Sequence, residues 1–392
     1  MTSATAQEGA EVRPVSQPPR SHSWLGWRPA GRPLDPRNNA LNLVRLALAS
    51  LVLVAHAYYI AGVGVGPQID GENLGGWAVF GFFTISGYLI TGSRLDNPVG
   101  TYFVHRVARI FPAFLVCLIV TALVFAPIGY WSVHGSLEGY LTTGTTPAAY
   151  VFGNAGLRVN AYDVAATPAG VPYPGAWNGS LWTLYYEFLS YVIIGALAVL
   201  GWFRRSPWPL AGAFALSVAV HALMDRLLPY VGGNVDFQLL GKLLPLFLGG
   251  ALVHVLRDRL PLHLPGALAS TAVVAFTVWA LDGWGAQLTA PLIAYVLLWI
   301  GATLPSPRLV QRHDISYGVY IYAFPVQQLL VLAGVHELGL AVYDVAAFAV
   351  TAVLATASWL LVERPVMRRA RGRRETPVAT DRVPPREAAA VA

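Results

Sequence analysis

Two ionisable residues lie inside apolar stretches at positions that suit acid–base chemistry. His56 lies near the end of the first apolar segment, and Glu187 lies near the start of the fourth. A carboxylate that accepts a hydrogen bond from one imidazole nitrogen fixes the tautomer and leaves the other nitrogen as a base. Residues at equal depth below one membrane surface would form such a general-base pair. The competing interpretation is a histidine that is hydrogen-bonded within the core.

Three arginines suggest a site for an anionic group. Arg45 precedes His56 by three helical turns, so the two share a helix face and lie about 16 Å apart along the axis. Arg106 and Arg109 also share a face. Guanidinium groups suit phosphate and pyrophosphate. The competing interpretation is positive charge that anchors the helices at the cytoplasmic surface.

The elements that carry these residues are predicted to be membrane helices. Of 392 residues, 55% are hydrophobic and 12% are charged, whereas a soluble domain has about 25% charged residues. This composition excludes an ordinary cytosolic enzyme and a disordered chain. We predict an all-α, polytopic integral membrane protein with about ten transmembrane helices. The candidates are 40–61, 77–95, 107–128, 181–203, 208–224, 237–256, 265–281, 286–304, 315–335 and 340–363.

The basic residues indicate an orientation for these helices. Most of them fall in alternate connections, which predicts that both termini are cytoplasmic. The net charge of +6 is therefore assigned to membrane topology, and nucleic acid is not expected as a partner. The single cysteine, Cys117, and the absence of metal-binding motifs predict that no metal is bound.

The chain divides into a membrane domain and two polar tails. Residues 1–38 and the basic stretch 367–392 are predicted to be disordered cytoplasmic tails, and residues 39–366 form the membrane domain. A long outer loop spans 129–179, and such loops are usually functional or disordered. Its many aromatic side chains suit either an interfacial belt or stacking on sugars.

Seven segments, in order, resemble the acyltransferase-3 family of membrane O-acyltransferases. The patterns include a basic residue ten positions before His56, Phe-Phe-x-x-Ser-Gly at 82–87, Arg-x-x-Arg-Ile-x-Pro at 106–112 and Leu-Trp-Thr-Leu-x-x-Glu at 181–187. The other segments are 242–250, 315–320 and 362–365. Many members have histidine before the proline of the ninth helix, where this chain has Phe324.

The resemblance implies transfer of an acyl group, acetyl above all, from cytoplasmic acyl-CoA to a hydroxyl. Acyl-CoA is then a co-substrate, and no bound cofactor is expected. His56 would remove the acceptor proton or take the acyl group, while Glu187 would orient it. Arg106 and Arg109, with Arg45, would bind the CoA phosphates. Lys242 would stabilise an oxyanion or bind the acceptor.

The acceptor is expected to contain sugar: a surface polysaccharide, a glycolipid or a macrolide. The resemblance implies a stand-alone form without an SGNH hydrolase-like domain, in the lipid bilayer of a bacterial cytoplasmic membrane. Two alternatives are a transporter or flippase of an envelope precursor, whose buried charges would line a path, and a non-catalytic partner in envelope assembly.

Overall fold

The computed structural model describes residues 34–35 and 38–372, and this part of the chain is mostly helical. The helices are α1 (Leu41–Ile60), α2 (Leu74–Leu95), α3 (Val99–Val120), α4 (Ala126–His134), α5 (Pro147–Asn154), α6 (Thr183–Leu197), α7 (Gly201–Arg205), α8 (Trp208–Ala222), α9 (Met224–Leu227), α10 (Val235–Val255), α11 (Leu264–Ala280), α12 (Gly285–Leu288), α13 (Ala290–Thr303), α14 (Arg308–Arg312), α15 (Ser316–Leu332), α16 (Leu340–Ser358) and α17 (Arg364–Gly372). Strands β1 (Gln68–Ile69) and β2 (Glu72–Asn73) pair antiparallel between α1 and α2.

Five helical stretches of the described chain are long and apolar enough to cross a bilayer, and a bent pair makes a possible sixth. They are Leu41–Ile60, Leu74–Leu95, Val99–His134, Val235–Val255 and Leu340–Gly372; the bent pair joins Trp208–Ala222 to Met224–Val231. Each of the ten predicted segments is helical over most of its length. The all-α, multi-pass architecture is confirmed, and the count of ten spans stays a prediction.

The longest stretch, Val99–His134, contains a π-helical turn at Thr121–Phe125 that joins α3 to α4. The sequence predicted a helix over 107–128, but α3 begins earlier, directly after Pro98. The difference arises because residues 99–106 include polar and small side chains, which lower the mean hydropathy there although the backbone is already helical.

Helices α2 and α10 cross at two glycines. A Cβ at Gly87 would overlap the carbonyl oxygen of Phe247, and a Cβ at Gly250 would overlap that of Thr84. The two backbones are therefore in direct contact, as at the small-residue crossings of membrane helices. This crossing fixes α2, which carries Ser86, against α10, which carries Lys242.

Helix α15 lies at the centre of the protein and is buried on nearly every side. The Gln327 amide donates to the carbonyl of Leu53, and the Gln328 amide donates to the carbonyls of Tyr173 and Ala176. These bonds tie α15 to α1 and to the long loop, so the start of α15 is a fixed reference point for the site.

The 129–179 loop is folded against the helices. Trp177 is fully buried, and its indole N–H donates to the Thr167 hydroxyl at 3.0 Å. Tyr150 is also buried, whereas Trp131 is 60% exposed. Both explanations predicted from the sequence, an interfacial belt and sugar stacking, are therefore wrong for Trp177 and Tyr150, which form the loop's own core.

The C-terminal boundary of the membrane domain also differs from the prediction. Helix α17 runs to Gly372, into the 367–392 stretch that was predicted to be a disordered tail. A π-helical turn at Trp359–Glu363 joins α16 to α17, so the helix continues where charge had suggested an end. The rest of the two predicted tails, residues 1–33, 36–37 and 373–392, lies outside the described residues.

Candidate active site

A carboxylate just before α15 holds two of the predicted donor-binding arginines. Asp314 Oδ2 accepts hydrogen bonds from Arg45 Nη1 of α1 and from Arg109 Nη2 of α3, both at 2.6 Å. The Ser316 hydroxyl donates to Asp314 Oδ1 at 2.5 Å. Burial alone would raise the pKa of Asp314, but the two guanidinium groups and Ser316 outweigh it and lower the pKa to about 2. Asp314 is therefore ionised at neutral pH.

Arg109 has a second acidic partner. Its Nη1 lies 3.1 Å from Glu363 Oε2, and the Ser358 hydroxyl donates to the other oxygen of Glu363 at 3.1 Å. Glu363 is 1% exposed and belongs to the π-helical turn before α17. Arg109 thus joins α3 to the starts of both α15 and α17.

These residues form one wall of a cavity of about 420 Å³, called here the basic cavity. Its charged lining consists of five arginines and one aspartate: Arg45, Arg106, Arg109, Arg312, Arg371 and Asp314. Asp314 neutralises only part of this charge, so the basic cavity favours an anion with several negative groups.

Arg106 differs from its neighbours in the basic cavity. Among the described residues it belongs to no ion pair within 4 Å, and its buried Nε has no hydrogen-bond partner. Its guanidinium carbon lies 6.0 Å from the centre of the Tyr191 ring. A buried guanidinium without a carboxylate partner is well suited to a phosphate ligand.

Glu187 lies in a narrow cavity of about 40 Å³ beyond Arg45, whose side chain lines both spaces. Glu187 Oε1 accepts hydrogen bonds from Ser86 at 2.9 Å and from Tyr191 at 2.5 Å. Two donors on one oxygen fix the side chain of Glu187. Its carboxylate therefore faces the narrow cavity as a fixed hydrogen-bond acceptor.

His56 lines a third space of about 220 Å³, called here the His56 cavity. Val79, Thr183 and Tyr320 line both this cavity and the narrow cavity. Within the His56 cavity, Lys242 Nζ forms an ion pair with Glu72 of β2. The cavity thus contains an imidazole together with a paired ammonium and carboxylate.

The His56 ring is packed among aromatic side chains. Its centroid lies 5.2 Å from that of Phe324 and 5.5 Å from that of Tyr59, both in edge-on arrangements. His56 Nδ1 is buried and has no hydrogen-bond partner among the described residues. The ring is therefore positioned by packing, without a carboxylate on this nitrogen.

The three cavities follow one another through shared walls. The basic cavity meets the narrow cavity at Arg45, and the narrow cavity meets the His56 cavity at Tyr320 and its neighbours. Arg45 and His56 both lie on α1, about 16 Å apart along its axis. The arrangement separates an anion-binding end from an imidazole by a slender passage.

A family model described as an acyltransferase domain, that of the acyltransferase-3 family, matches residues 38–361. The chain belongs to the acyltransferase-3 family. The match covers most of the chain and includes all three cavities except for α17. The protein is thus an acyltransferase enzyme.

Two named relatives resemble this acyltransferase along most of their length. One is the "O-acetyl transferase" of Shigella phage Sf6, 29% identical over 341 residues, which are 84% of this chain and 96% of the relative. The other is "Nodulation protein 10" of Rhizobium leguminosarum bv. viciae, 27% identical over 366 residues, with coverages of 85% and 94%. No solved structure gives a significant match.

The acyltransferase fold brings the predicted residues together differently from the sequence-based expectation. Arg45, Arg106 and Arg109 meet at one cavity, as predicted, but Arg45 and Arg109 are neutralised by acidic partners. The expected hydrogen bond between His56 and Glu187 is not formed. Glu187 bonds to Ser86 and Tyr191 instead, because its side chain faces the narrow cavity rather than the His56 cavity.

Two acidic residues of the site were missed. Asp314 and Glu72 lie outside the ten predicted helices, so a search for charges within apolar segments passed over them. Asp314 lies next to the Ile-Ser-Tyr-Gly segment of the family resemblance, which was a usable signal. For Glu72, nothing local indicated a partner 170 residues away.

Proposed function

We propose that this acyltransferase moves an acetyl group from cytoplasmic acetyl-CoA to a hydroxyl of a sugar-containing acceptor. The observation that carries the proposal is the series of three cavities with shared walls, basic at one end and containing His56 at the other. Such a series suits a donor with an anionic head, a thin arm and a reactive end.

The donor head would occupy the basic cavity. Coenzyme A carries a 3′-phosphate and a pyrophosphate, and Arg106 offers an uncompensated guanidinium with Arg312 nearby. Arg45 and Arg109 would shape the cavity through Asp314 rather than bind phosphate as free cations. The pantetheine arm would pass through the narrow cavity, where Glu187 is placed to accept an amide N–H.

The reaction would take place beside His56. Its imidazole takes the proton of the acceptor hydroxyl, and the hydroxyl oxygen attacks the thioester carbonyl carbon. The carbon–sulfur bond breaks, and the sulfur leaves with the electron pair and takes the proton from His56 to give the CoA thiol. Lys242, held by Glu72, supplies positive charge for the oxyanion or for the bound acceptor.

The orientation of the protein follows from its charges. We propose ten spans with both termini on the cytoplasmic side of a bacterial inner membrane, because Lys and Arg fall mainly in alternate connections. This orientation places the basic cavity toward cytoplasmic acyl-CoA and the His56 cavity toward the outer half. The name of the phage relative, "O-acetyl transferase", supports acetyl and an oxygen acceptor.

The proposal is tested by the ester content of cells. Base-labile acyl groups on envelope glycans, lipids and secreted metabolites are compared by mass spectrometry between cells with the intact protein and cells with His56→Ala at equal membrane abundance. Loss of one acetyl increment from one sugar-containing compound class is expected. Unchanged esters in every fraction of cells that make such compounds would overturn the proposal.

A further inference from the structure

Helix α17 contributes a charged side chain to the basic cavity. Met367, Ala370 and Arg371 line the cavity, and their spacing of three and four places them on one helix face. The same helix contributes Val366 and Arg369 to an apolar groove against α3. Helix α17 therefore has one face toward the basic cavity and another toward the α3 groove.

The position of α17 is fixed by buried contacts. Glu363, directly before α17, accepts from Ser358 and forms an ion pair with Arg109. The indole N–H of Trp359 donates to His313 Nδ1 at 3.1 Å. These bonds anchor the turn that leads into α17, so Arg371 is held at the cavity by a continuous helix.

The charges of the basic cavity leave Arg371 without a partner inside the protein. Asp314 is paired with Arg45 and Arg109, and Glu363 is paired with Arg109. Among residues 34–35 and 38–372, neither Arg371 nor Arg106 forms an ion pair within 4 Å. Two unpaired guanidinium groups thus line one cavity, Arg106 on the α3 side and Arg371 on the α17 side.

We propose that Arg371 of α17 is a donor-binding residue that closes the basic cavity over the phosphorylated adenosine end of the acyl-CoA, opposite Arg106. This inference rests on the proposed function, since it takes acyl-CoA as the donor. It assigns to a segment beyond the matched 38–361 region a role in binding the nucleotide part of the substrate. The thioester end, which lies beyond the narrow cavity, does not reach Arg371.

The test measures binding of three probes to the full-length protein in detergent: CoA, adenosine 3′,5′-bisphosphate and S-acetyl-pantetheine. Arg371→Ala is compared with Arg369→Ala, a matched control that removes the same charge from the other face of the same helix. A charged hydrogen bond to phosphate is worth enough that Arg371→Ala is expected to raise the Kd of CoA and of the bisphosphate about tenfold or more. Arg369→Ala should leave both values unchanged, as should Arg371→Ala for S-acetyl-pantetheine.

Two further arms keep the outcome clear. Arg371→Lys retains the charge and is expected to recover part of the affinity for the bisphosphate. Equal weakening of all three probes by Arg371→Ala, or no weakening of any, would overturn the inference. A loss of affinity for phosphatidylglycerol vesicles without a loss for CoA would also overturn it, because the phosphate source would then be a lipid headgroup. If the unaltered protein binds no CoA, the proposed donor itself fails.

Discussion

Arg109 donates to Asp314 across 2.6 Å, although 205 positions of the chain separate the two residues. The pair joins α3 to the start of α15, and Glu363 extends it to the turn before α17. An arginine with two acidic partners is a structural cation first. The arginine pair of the Arg-x-x-Arg pattern therefore divides into two roles, with Arg109 holding the cavity together and Arg106 facing its contents.

Replacement of Asp314 by asparagine should destabilise the protein and flatten its response to acid. Breaking a largely buried ion pair costs about 3 kcal/mol. The folded-state pKa of Asp314, about 2, lies below its ordinary value of 3.8. Its contribution to stability is therefore complete above about pH 4 and is lost as the pH falls toward 2. Thermal unfolding in detergent between pH 2 and 7 should show this decline in the unaltered protein and not in Asp314→Asn.

The exposed Asp258 provides the control for that experiment, since its side chain is 87% exposed. Asp258→Asn should keep the full acid response. An Asp314→Asn protein with the same Tm as the unaltered one at pH 7 would show that the ion pair contributes nothing to stability.

Removal of Arg106 and removal of Arg109 should have different consequences. Arg106→Ala is expected to weaken CoA binding at least about tenfold, with little change in Tm, because Arg106 has no acidic partner among the described residues. Arg109→Ala should lower the Tm, because it leaves Glu363 buried without its ion pair. Calorimetric CoA titration and thermal unfolding of both variants measure the two effects. The reverse pattern would exchange the roles assigned here.

Removal of the His56 imidazole should abolish transfer and spare donor binding. General-base catalysis contributes about 10²–10⁴-fold to a rate, and His56 lies well away from the basic cavity along α1. We expect acetyl transfer by His56→Ala to fall within that range while the Kd of CoA stays constant. His336→Ala, in a turn away from all three cavities, is the matched control. Near-normal transfer by His56→Ala would remove the proposed base.

Ser86 and Glu187 should act as one unit. The Ser86 hydroxyl donates to Glu187 at 2.9 Å, so Ser86→Ala and Glu187→Gln each disturb the same hydrogen bond. We expect the effects of the two changes on kcat/KM to be non-additive, with a coupling free energy of about 1 kcal/mol. Kinetics of the two single variants and the double variant measure it. Strict additivity would show that the bond has no part in the reaction.

The glycine crossing of α2 and α10 should tolerate no side chain. Gly250→Ala places a methyl group on the backbone of Thr84, so the helices must separate. Little folded protein is expected in size-exclusion chromatography of this variant. Gly212→Ala in α8 is the control, because a Cβ there meets no atom within 4 Å and alanine favours helix by about 1 kcal/mol. A normal yield of Gly250→Ala would contradict the close approach.

Hydropathy and motif order predicted the helical class and the grouping of the arginines. Long apolar segments give α1, α2 and α10 within a few residues, because a bilayer dictates their length. Hydropathy failed at α17, because an arginine-rich helix on a surface has the same composition as a disordered tail. The backbone hydrogen bonds that distinguish the two are not written in charge alone.

Side-chain partners were beyond the sequence for a different reason. Depth within a membrane was predicted from position in a helix, and it placed His56 and Glu187 at the same level. Depth does not fix rotation about the helix axis. A carboxylate at the right level faces Ser86 and Tyr191 instead of His56, and only the packing of α6 against α2 and α3 decides which.

The π-helical turn at Trp359–Glu363 sets the angular phase of everything after it. A π turn holds one residue more than an α turn, and one residue corresponds to about 100° of rotation. Deletion of a single residue there would convert the turn to regular helix and turn Arg371 away from the cavity, with the charge of the chain scarcely changed. The chain therefore encodes the aim of its last arginine in an insertion, which composition does not register and a gap in an alignment would.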